Sequence, residues 1–516
     1  MLPTRFRLNV SRVDQLFLGL LLAIFIAKGV IVTFAHPPFS GHDEVMHYAY
    51  LEVMATEGRI PEIPVLADWQ AADQDTTTYV YDRAPEKLWP YCRFVTGDWN
   101  VGCGTYERPV YKVFWPPENE NYLHGWIYTA NHPPLYYAWL TPVYWATDDL
   151  DTSLETQLYT FRLATLPFGI LTVVMAWLTA RTLFPRDRFL TWLVPSFVAF
   201  QPQISYEGVM LNNDAMAVAM SSVVIYLLVR GLKHGFPIGT VAFTGFFFGL
   251  AVLSKNTSIT IGLSIAVAMV LGLGLRNIRE WLPKGALAAG IAGLLVWPWF
   301  WYMRSTYGDF TALGRVSDLQ YWNYVGDVRP TIWDQASDSD FAWWRWRETW
   351  GEFGWRLIPL GDSSTHWFLL RLLLWVTLLG TIGIAVWAVR LYLSARETAD
   401  SPGLPPDGSI FRAERWQVAG VVTMGVTCIV AYVAILQFGV QFSLTQARYY
   451  FGAIVPAAIL LVLGFRALTS RAWLPWVQTA LFTSVVLLNV VIYTAWVVPY
   501  WGTAFRAFGD VNPFYR

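Results

Sequence analysis

The sequence predicts an all-α integral membrane protein: a multi-span bundle of about eleven transmembrane helices, with two long outer loops that carry juxtamembrane helices. Of its 516 residues, 55% are hydrophobic and only 14% are charged, whereas soluble domains carry about 25% charged residues. Apolar runs of about 17–25 residues, long enough to cross a bilayer, recur along the chain. Short basic or long polar stretches separate these runs, which is typical of a multi-pass membrane protein.

The short basic turns predict the orientation, because cytoplasmic loops of membrane proteins are enriched in lysine and arginine. Turns at 181–188, 230–233, 276–284 and 466–471 are of this kind, so the N-terminus is expected inside and the C-terminal tail outside. The first apolar run exceeds the roughly 7–15 residues of a signal peptide, so we interpret it as a retained span. The predicted crossings are residues 16–35, 161–183, 189–206, 214–230, 237–253, 256–275, 285–303, 366–390, 416–436, 449–467 and 474–498.

One apolar segment, residues 133–147, does not fit a crossing. It is short for a span, and the acidic turn that follows it, with Asp148 and Asp149, is unfavourable in a cytoplasmic loop. We therefore predict an aromatic-rich helix that lies on or dips into the outer leaflet. The resulting segments are 1–35 (cytoplasmic N-terminus and first transmembrane helix), 36–160 (first outer loop with an acidic motif), 161–303 (transmembrane helices two to seven), 304–365 (tryptophan-rich second outer loop), 366–498 (the last four transmembrane helices) and 499–516 (outer C-terminal tail).

The net charge and the cysteine residues indicate which partners the protein can bind and whether a disulfide is expected. The net charge is −1 and no basic stripe or nucleic-acid-binding motif is present, so nucleic-acid binding is not expected. Cys92 and Cys103 lie in the first outer loop, where an oxidising compartment favours a disulfide between them. Cys428 falls within an apolar run and is expected to pack there.

An acidic pair directly follows the first span. Asp43 and Glu44 lie between His42 and His47, just after two prolines that end the preceding helix. Asp43 and His47 are four residues apart and share a face if a helix starts here. Asp43 is therefore either a helix cap or a functional carboxylate, and burial at the edge of the hydrocarbon is expected to raise its pKa. His47 can orient Asp43, bind an anion or simply be hydrogen-bonded.

Isolated cations mark the outer ends of several spans. Arg162 opens the second span, Lys255 lies in a very short outer turn, and Arg448 begins the tenth span. A charge at this depth is unfavourable unless it meets an anion or extends towards the headgroups. His132 and Arg371, near other outer ends, are further candidates for the same site.

Asp214 follows two asparagines at the outer start of a span. It is either the N-cap of that helix or a second acidic group in the outer cavity, suited to a sugar hydroxyl. The His42, Asp43 and His47 cluster lacks the HExxH arrangement of zinc enzymes, so we predict no metal site.

Several short motifs, in order along most of the chain, resemble the GT-C superfamily of membrane glycosyltransferases. The likeness is greatest to the polyprenyl-phosphate-sugar-dependent branch that includes protein O-mannosyltransferases and the lipid A aminoarabinose transferase. The motifs are His42-Asp43-Glu44 with His47, Asn131-His132-Pro133-Pro134-Leu135, Phe161-Arg162-Leu163, Asn212-Asn213-Asp214, Leu253-Ser254-Lys255, Trp299 to Arg304, Tyr307-Gly308-Asp309, Trp350 to Trp355, and Gln446-Ala447-Arg448-Tyr449-Tyr450.

The resemblance implies a GT-C-like fold and a sugar transfer from a lipid-linked phosphate donor outside the membrane. In that family the acidic residue of the first outer loop is the catalytic base, a role that falls here on Asp43, with Glu44 as the neighbour that can share or replace it. The leaving phosphate would meet Arg162, Lys255 and Arg448.

The expected partners and location follow from the same resemblance. The donor is a polyprenyl-phosphate-linked hexose or pentose, and the acceptor is a protein, a lipid or a glycan of the cell envelope. The enzyme is expected in the plasma or inner membrane among membrane lipids. No cofactor is predicted; a divalent cation is used by other GT-C branches but is not expected here.

Three other functions remain open at this point. An oligosaccharide ligase or polymerase would share the lipid-linked substrate but use a different fold. A multi-pass transporter would carry charged or broken helices within its spans, whereas the charges here gather at one side. A non-catalytic membrane protein that only binds lipid-linked sugar would have a similar sequence.

Overall fold

The structure of the protein, a computed structural model, describes residues 11–63, 87–88, 127–319, 330–354, 358–360, 364–400, 410–441 and 445–502. The helices of the first part are α1 Arg12–Ala35, α2 Glu44–Glu57, α3 Leu135–Asp149, α4 Leu154–Leu183, α5 Arg188–Phe200, α6 Pro202–Glu207, α7 Asp214–His234, α8 Ile238–Ser254, α9 Ile261–Leu273 and α10 Ile278–Tyr307.

The second part contains further helices and a minimal antiparallel pair of strands. These elements are α11 Leu313–Leu319, α12 Ile332–Ser337, α13 Ser339–Trp350, β1 Glu352–Phe353, β2 Ile358–Pro359, α14 Ser364–Asp400, α15 Arg415–Gln441, α16 Ile454–Leu468 and α17 Leu474–Val491. Short 3₁₀ segments occur at Tyr128–Asn131, Asn256–Thr260, Ala447–Ala453 and Arg471–Trp473, and a π-helical segment, Ile492–Val497, continues α17.

The apolar helices confirm the predicted multi-span bundle. Among the described residues, nine helical segments are long and apolar enough to cross a membrane, and the shorter apolar helices α5 and α8 accompany them. Each of these eleven segments overlaps a predicted crossing, although the crossing predicted at 189–206 is divided between α5 and α6. Residues 133–147 correspond to α3, which packs against α2 and α4. Its depth relative to the bilayer stays a prediction.

Helix α7 is the centre of the bundle. In its apolar window 89% of the residues are buried, against 17% in α14, whose surface is therefore available to lipid. Helix α7 packs against α4, α8, α9, α15 and the Ala447–Ala453 segment. Small residues such as Ala215, Ala219 and Ser222 let these helices approach closely, as is usual within membranes.

Helix α14 is held to the bundle chiefly by α16, through facing glycines. A Cβ atom on Gly464 would lie 1.8 Å from the carbonyl oxygen of Gly380, so neither backbone leaves room for a side chain there. Such glycine contacts bring two membrane helices together where hydrophobic burial gives no driving force.

Several chain segments meet at one end of the bundle. They are the start of α2, the Tyr128–Asn131 turn, the start of α7, the turn after α8 and the start of the Ala447–Ala453 segment. Pro37 disfavours a helical conformation at His36, which adopts an extended backbone and ends α1. The chain thereby turns directly from the first span into the acidic motif.

Candidate active site

Asp43 occupies a left-handed backbone position at the start of α2. Its φ is 59°, and that of Phe39 nearby is 62°, so the loop has two non-glycine residues in a region that side chains disfavour. Asp43 is the N-cap residue of α2, yet its side chain makes no capping hydrogen bond. The carboxylate instead accepts a hydrogen bond from the Tyr128 hydroxyl at 2.8 Å and pairs with Arg448. The Asp43 side chain therefore does not cap α2, contrary to one of the two sequence-based alternatives.

Glu44 points elsewhere. It is fully buried and pairs with Arg162, with Nη2–Oε2 at 2.6 Å and Nε–Oε1 at 2.8 Å. Its carboxylate also accepts the backbone N–H groups of Gly41 at 2.8 Å and Leu211 at 2.9 Å. A Cβ on Gly41 would lie 2.5 Å from the Glu44 carboxyl carbon, so this turn requires glycine.

Arg162 uses all of its donors on the protein itself. Besides Glu44, it donates to the carbonyl oxygens of Thr33, His36 and Pro37 at 2.7–2.9 Å. It is therefore attached to the end of α1 and has no donor left for a phosphate. The structure does not bring Glu44 or Arg162 to the cavity described below, so a catalytic share for Glu44 and a phosphate contact for Arg162 lack geometric support.

Two other cations and two carboxylates form a buried quartet, defined here as Asp43, Asp214, Lys255 and Arg448. Arg448 Nη2 pairs with Asp43 Oδ2, and Arg448 Nη1 lies 3.6 Å from Asp214 Oδ2. Lys255 Nζ pairs with Asp214 Oδ1. All four residues are at least nine-tenths buried. The ring of Tyr449 lies 4.7 Å from Lys255 Nζ and 5.7 Å from the Arg448 guanidinium, positions that favour cations.

The two asparagines before Asp214 explain how the quartet is positioned. Asn213 is the N-cap residue of α7, but it is the Oδ1 atom of Asn212 that accepts the backbone N–H groups of Asp214 and Ala215, at 3.0 and 3.3 Å. Asn213 donates to the carbonyl oxygen of Ser254 at 2.8 Å, which ties the start of α7 to the residue before Lys255. The predicted N-cap role of Asp214 is thus wrong: Asn213 holds the N-cap position, Asn212 bonds the first N–H groups, and the Asp214 side chain pairs with Lys255.

The two predicted histidines lie beside the quartet. His47 Nδ1 lies 2.8 Å from the hydroxyl of Tyr137, and its ring centre is 5.6 Å from that of His132. Burial lowers the pKa of His47 to about 3, and it also lowers the pKa of His132 well below its usual value. Both imidazoles are therefore neutral at physiological pH and supply hydrogen bonds rather than charge.

The pKa of Asp43 moves against the expectation from sequence. Burial by itself would raise this pKa, but the Arg448 guanidinium in contact with the carboxylate lowers it well below its usual value. The expected rise assumed an unpaired carboxylate, whereas the structure supplies a cation from a residue 405 positions away. Asp43 is therefore fully ionised at neutral pH.

Asp43, Lys255 and Arg448 of the quartet line a cavity of about 310 Å³ together with His47 and His132, whereas Asp214 does not line it. Its polar lining residues include Asp43, His47, His132, Lys255 and Arg448. Its apolar lining residues include Ile259, Leu313, Val316 and Phe438. A cavity lined by both charged and apolar side chains suits an amphiphile with a phosphate head and a hydrocarbon tail.

Arg371 lies elsewhere. It lines a separate surface depression with Trp343, Trp367, Leu374 and Trp375, and none of these five residues lines the cavity of Asp43. The structure therefore does not bring Arg371 to the other predicted site residues. Cys92 and Cys103 lie outside the described residues, and their disulfide stays a prediction.

Sequence reasoning missed two groups. Tyr128, which holds Asp43, is one of 26 tyrosines, and only its position just before the Asn131-His132 motif could have singled it out. Glu207 accepts hydrogen bonds from Gln203 and Asn212 at 3.0 and 2.9 Å and lies 3.0 Å from His42 Nδ1. This buried cluster attaches the acidic loop to α6. In the sequence, Glu207 is only a single acidic residue between two predicted spans, and no motif marks it.

The sequence of residues 132–302 matches the family described as dolichyl-phosphate-mannose-protein mannosyltransferase. This segment contains His132, Asp214 and Lys255, whereas Asp43 and Arg448 lie outside it. No curated protein matches the sequence at a significant level.

Two solved structures resemble the fold. The crystal structure of ArnT from Cupriavidus metallidurans bound to undecaprenyl phosphate is 12% identical, with a TM-score of 0.43, covering 95% of this chain and 75% of that chain. The archaeal oligosaccharyltransferase AglB from Archaeoglobus fulgidus, in complex with an inhibitory peptide and a dolichol-phosphate, is 11% identical, with a TM-score of 0.47. The match covers 95% of this chain and 56% of that chain.

The family match falls on the central helices of the bundle, and it includes three of the predicted motifs in their expected order. It confirms the resemblance noted in the sequence. Residues 132–302 are therefore similar to the dolichyl-phosphate-mannose-protein mannosyltransferase family, and the long apolar helices of the described residues are those of a multi-pass membrane protein.

Proposed function

We propose that the protein transfers a sugar from a polyprenyl-phosphate donor to an acceptor hydroxyl on the extracytoplasmic side, with Asp43 as general base. The observation that carries this proposal is the single cavity that Asp43 shares with Lys255 and Arg448. It combines a carboxylate that can take the acceptor proton, two cations that can hold a phosphate and apolar side chains that can contact a prenyl chain. Neutral His47 and His132 offer hydrogen bonds to the sugar or the phosphate.

The proposed donor class includes hexosyl and pentosyl phosphates of polyprenols. The matching family is described by dolichyl-phosphate-mannose as donor and protein as acceptor, so a mannosyl donor and a protein hydroxyl are the first pair to test. Lipids and cell-envelope glycans are the other acceptor classes. The proposal uses no divalent cation, because side-chain cations offset the phosphate charge, and each carboxylate of the quartet already has a cation partner.

The proposed orientation puts the cavity outside the plasma or inner membrane. Helix α7 begins with Asp214, next to the cavity, and its last turn contains Lys233 and His234. Its 21 residues span about 30 Å, so the basic turn and the cavity lie at opposite ends of one span. Since basic turns face the cytoplasm, the cavity faces the other side.

The test is Asp43→Asn, assayed in membranes against a panel of polyprenyl-phosphate sugars with radiolabelled mannose, arabinose or galactose. Loss of a general base is expected to lower transfer by a hundredfold or more, on the order of the usual contribution of such a base. The wild-type assay is run with and without EDTA, and we expect the chelator to leave the rate unchanged.

Asp340→Asn is the matched control, because Asp340 is an exposed carboxylate at the start of α13. Thermal unfolding in detergent establishes that both variants are folded. Full activity of folded Asp43→Asn would overturn the general-base assignment. A wild type that binds the donors but transfers none of them would instead favour the non-catalytic binding function.

A further inference from the structure

We propose that Arg448 couples the two halves of the transfer, neutralising Asp43 before the reaction and the leaving phosphate after it. This inference rests on the function proposed above. It assigns Arg448 a part in catalysis beyond that of a fixed phosphate ligand, because its partner changes when Asp43 takes up a proton.

The contacts of Arg448 show why it is the cation that can change partner. One arm of its guanidinium, Nη2, is engaged with Asp43, and Nη1 lies 3.6 Å from Asp214. Its Nε has no hydrogen-bond partner among the described residues, although Arg448 is only 7% exposed. A buried charged donor without a partner is unfavourable, and an oxygen of a phosphate in the cavity would satisfy it.

Lys255 is held differently. Its ammonium group pairs with Asp214, which is not the proposed base and stays ionised throughout. The charge of Lys255 is therefore offset in the same way before and after transfer. The change in the charge of Asp43 acts on Arg448, its direct partner.

The charges of the reaction balance within this site. The acceptor O–H proton passes to Asp43, and the acceptor oxygen forms a bond to the anomeric carbon. The bond from that carbon to the phosphate oxygen breaks, and its electron pair stays on the phosphate. Asp43 changes from −1 to neutral while the donor phosphodiester, with one negative charge, becomes a phosphate monoester with two.

The quartet is therefore neutral before transfer and carries one net positive charge afterwards, when the leaving phosphate has gained one negative charge. The favourable interaction between Arg448 and the phosphate grows as the reaction proceeds. Interactions that strengthen towards the transition state are those that accelerate a chemical step. Arg448 would thus contribute to the rate as well as to donor affinity.

The test is a double-mutant cycle on Asp43 and Arg448, with the full-length protein in detergent and farnesyl phosphate as the probe. Asp43→Asn imitates the protonated base, so it should bind farnesyl phosphate at least about tenfold more tightly than the wild type, within the usual range of coupling between sites. In the Arg448→Gln background the same change should tighten binding less than about threefold, because the released cation is missing.

Farnesol, which lacks the phosphate, and the exposed Asp340→Asn variant are the controls, and neither should reproduce the effect. Arg448→Lys keeps a charge but cannot contact two partners through separate arms. It is expected to give an intermediate coupling and replaces the glutamine variant if that variant does not fold.

The possible results separate the two proposals. Equal tightening by Asp43→Asn in both backgrounds would mean that the aspartate repels the phosphate directly, and the coupling through Arg448 would be wrong. A wild type that binds farnesyl phosphate no better than farnesol would instead contradict the proposed function itself.

Discussion

At the scale of single residues, the site depends on how one carboxylate is held. Asp43 accepts a hydrogen bond from Tyr128 and pairs with Arg448, and both contacts favour its ionised form. Because the pKa of Asp43 is lowered in the folded protein, this pairing stabilises the fold above its unfolded pKa of about 4. The contribution is lost as the pH falls from there towards the lower folded pKa.

Tyr128→Phe tests the hydrogen bond to Asp43 separately from the ion pair. Without the hydroxyl, the pKa of Asp43 should rise, although the Arg448 guanidinium still holds this pKa well below its usual value. At neutral pH we expect kcat to fall by about fivefold, in keeping with a hydrogen bond of about 1 kcal/mol. An unchanged kcat would show that the Tyr128 hydroxyl does not act on the carboxylate.

The same scale shows why two adjacent acids have different surroundings. Asp43 lines the cavity, whereas Glu44 is fully buried against Arg162. Sequence reasoning could not separate Arg162 from Lys255 and Arg448, because each is an isolated cation at the predicted outer end of a span. Arg162 differs from the other two cations because it donates hydrogen bonds to carbonyl groups at the end of α1.

At the scale of elements, the Glu44–Arg162 pair joins the start of α2 to α4 and to the end of α1. It is inaccessible to solvent on both sides, and a buried pair of this kind is far more damaging to break than an exposed one. The pair thereby fixes the loop that presents Asp43. This arrangement assigns Glu44 to the scaffold of the site.

Glu44→Ala should therefore lower the free energy of unfolding by about 3–5 kcal/mol, since it leaves the Arg162 charge buried without its partner. Thermal unfolding in detergent measures the effect. The control is Glu57→Ala, which removes an exposed partner of Arg59 and should change stability by less than about 1 kcal/mol. A loss for Glu44→Ala as small as that of the control would contradict the structural role.

At the scale of the whole molecule, the site is built where distant segments of the chain meet. The start of α2, the start of α7, the turn after α8 and the Ala447–Ala453 segment all contribute to it. Helix α7 connects this region to a basic turn at its other end. The orientation of the whole bundle therefore decides which side of the membrane the cavity faces.

Cysteine labelling tests that orientation. In a cysteine-free background, Asp149→Cys should react with a membrane-impermeant maleimide in intact cells or spheroplasts, because the end of α3 is expected outside. Arg186→Cys, in the basic turn between α4 and α5, should react only after permeabilisation. The reverse pattern would put the cavity in the cytoplasm and would contradict the proposed function.

The sequence determined the order and approximate bounds of the apolar helices, because a span needs about 20 apolar residues in succession and that requirement is local. The sequence also identified Asp43, His47, His132, Lys255 and Arg448 individually as candidate site residues. An ionisable group near the end of a span is energetically unfavourable unless it has a partner or a function.

Only the tertiary structure decided which of these groups meet. In the structure, Asp43 contacts Arg448 and Tyr128. Arg162 donates to backbone carbonyl groups at the end of α1, and Arg371 lies at a separate surface depression. The direction of the Asp43 pKa shift changed with that pairing, because the sign depends on the nearest charge and not on burial alone. Charged groups interact with the groups that are nearest in space. The order of residues along the chain of a helical bundle does not specify those distances.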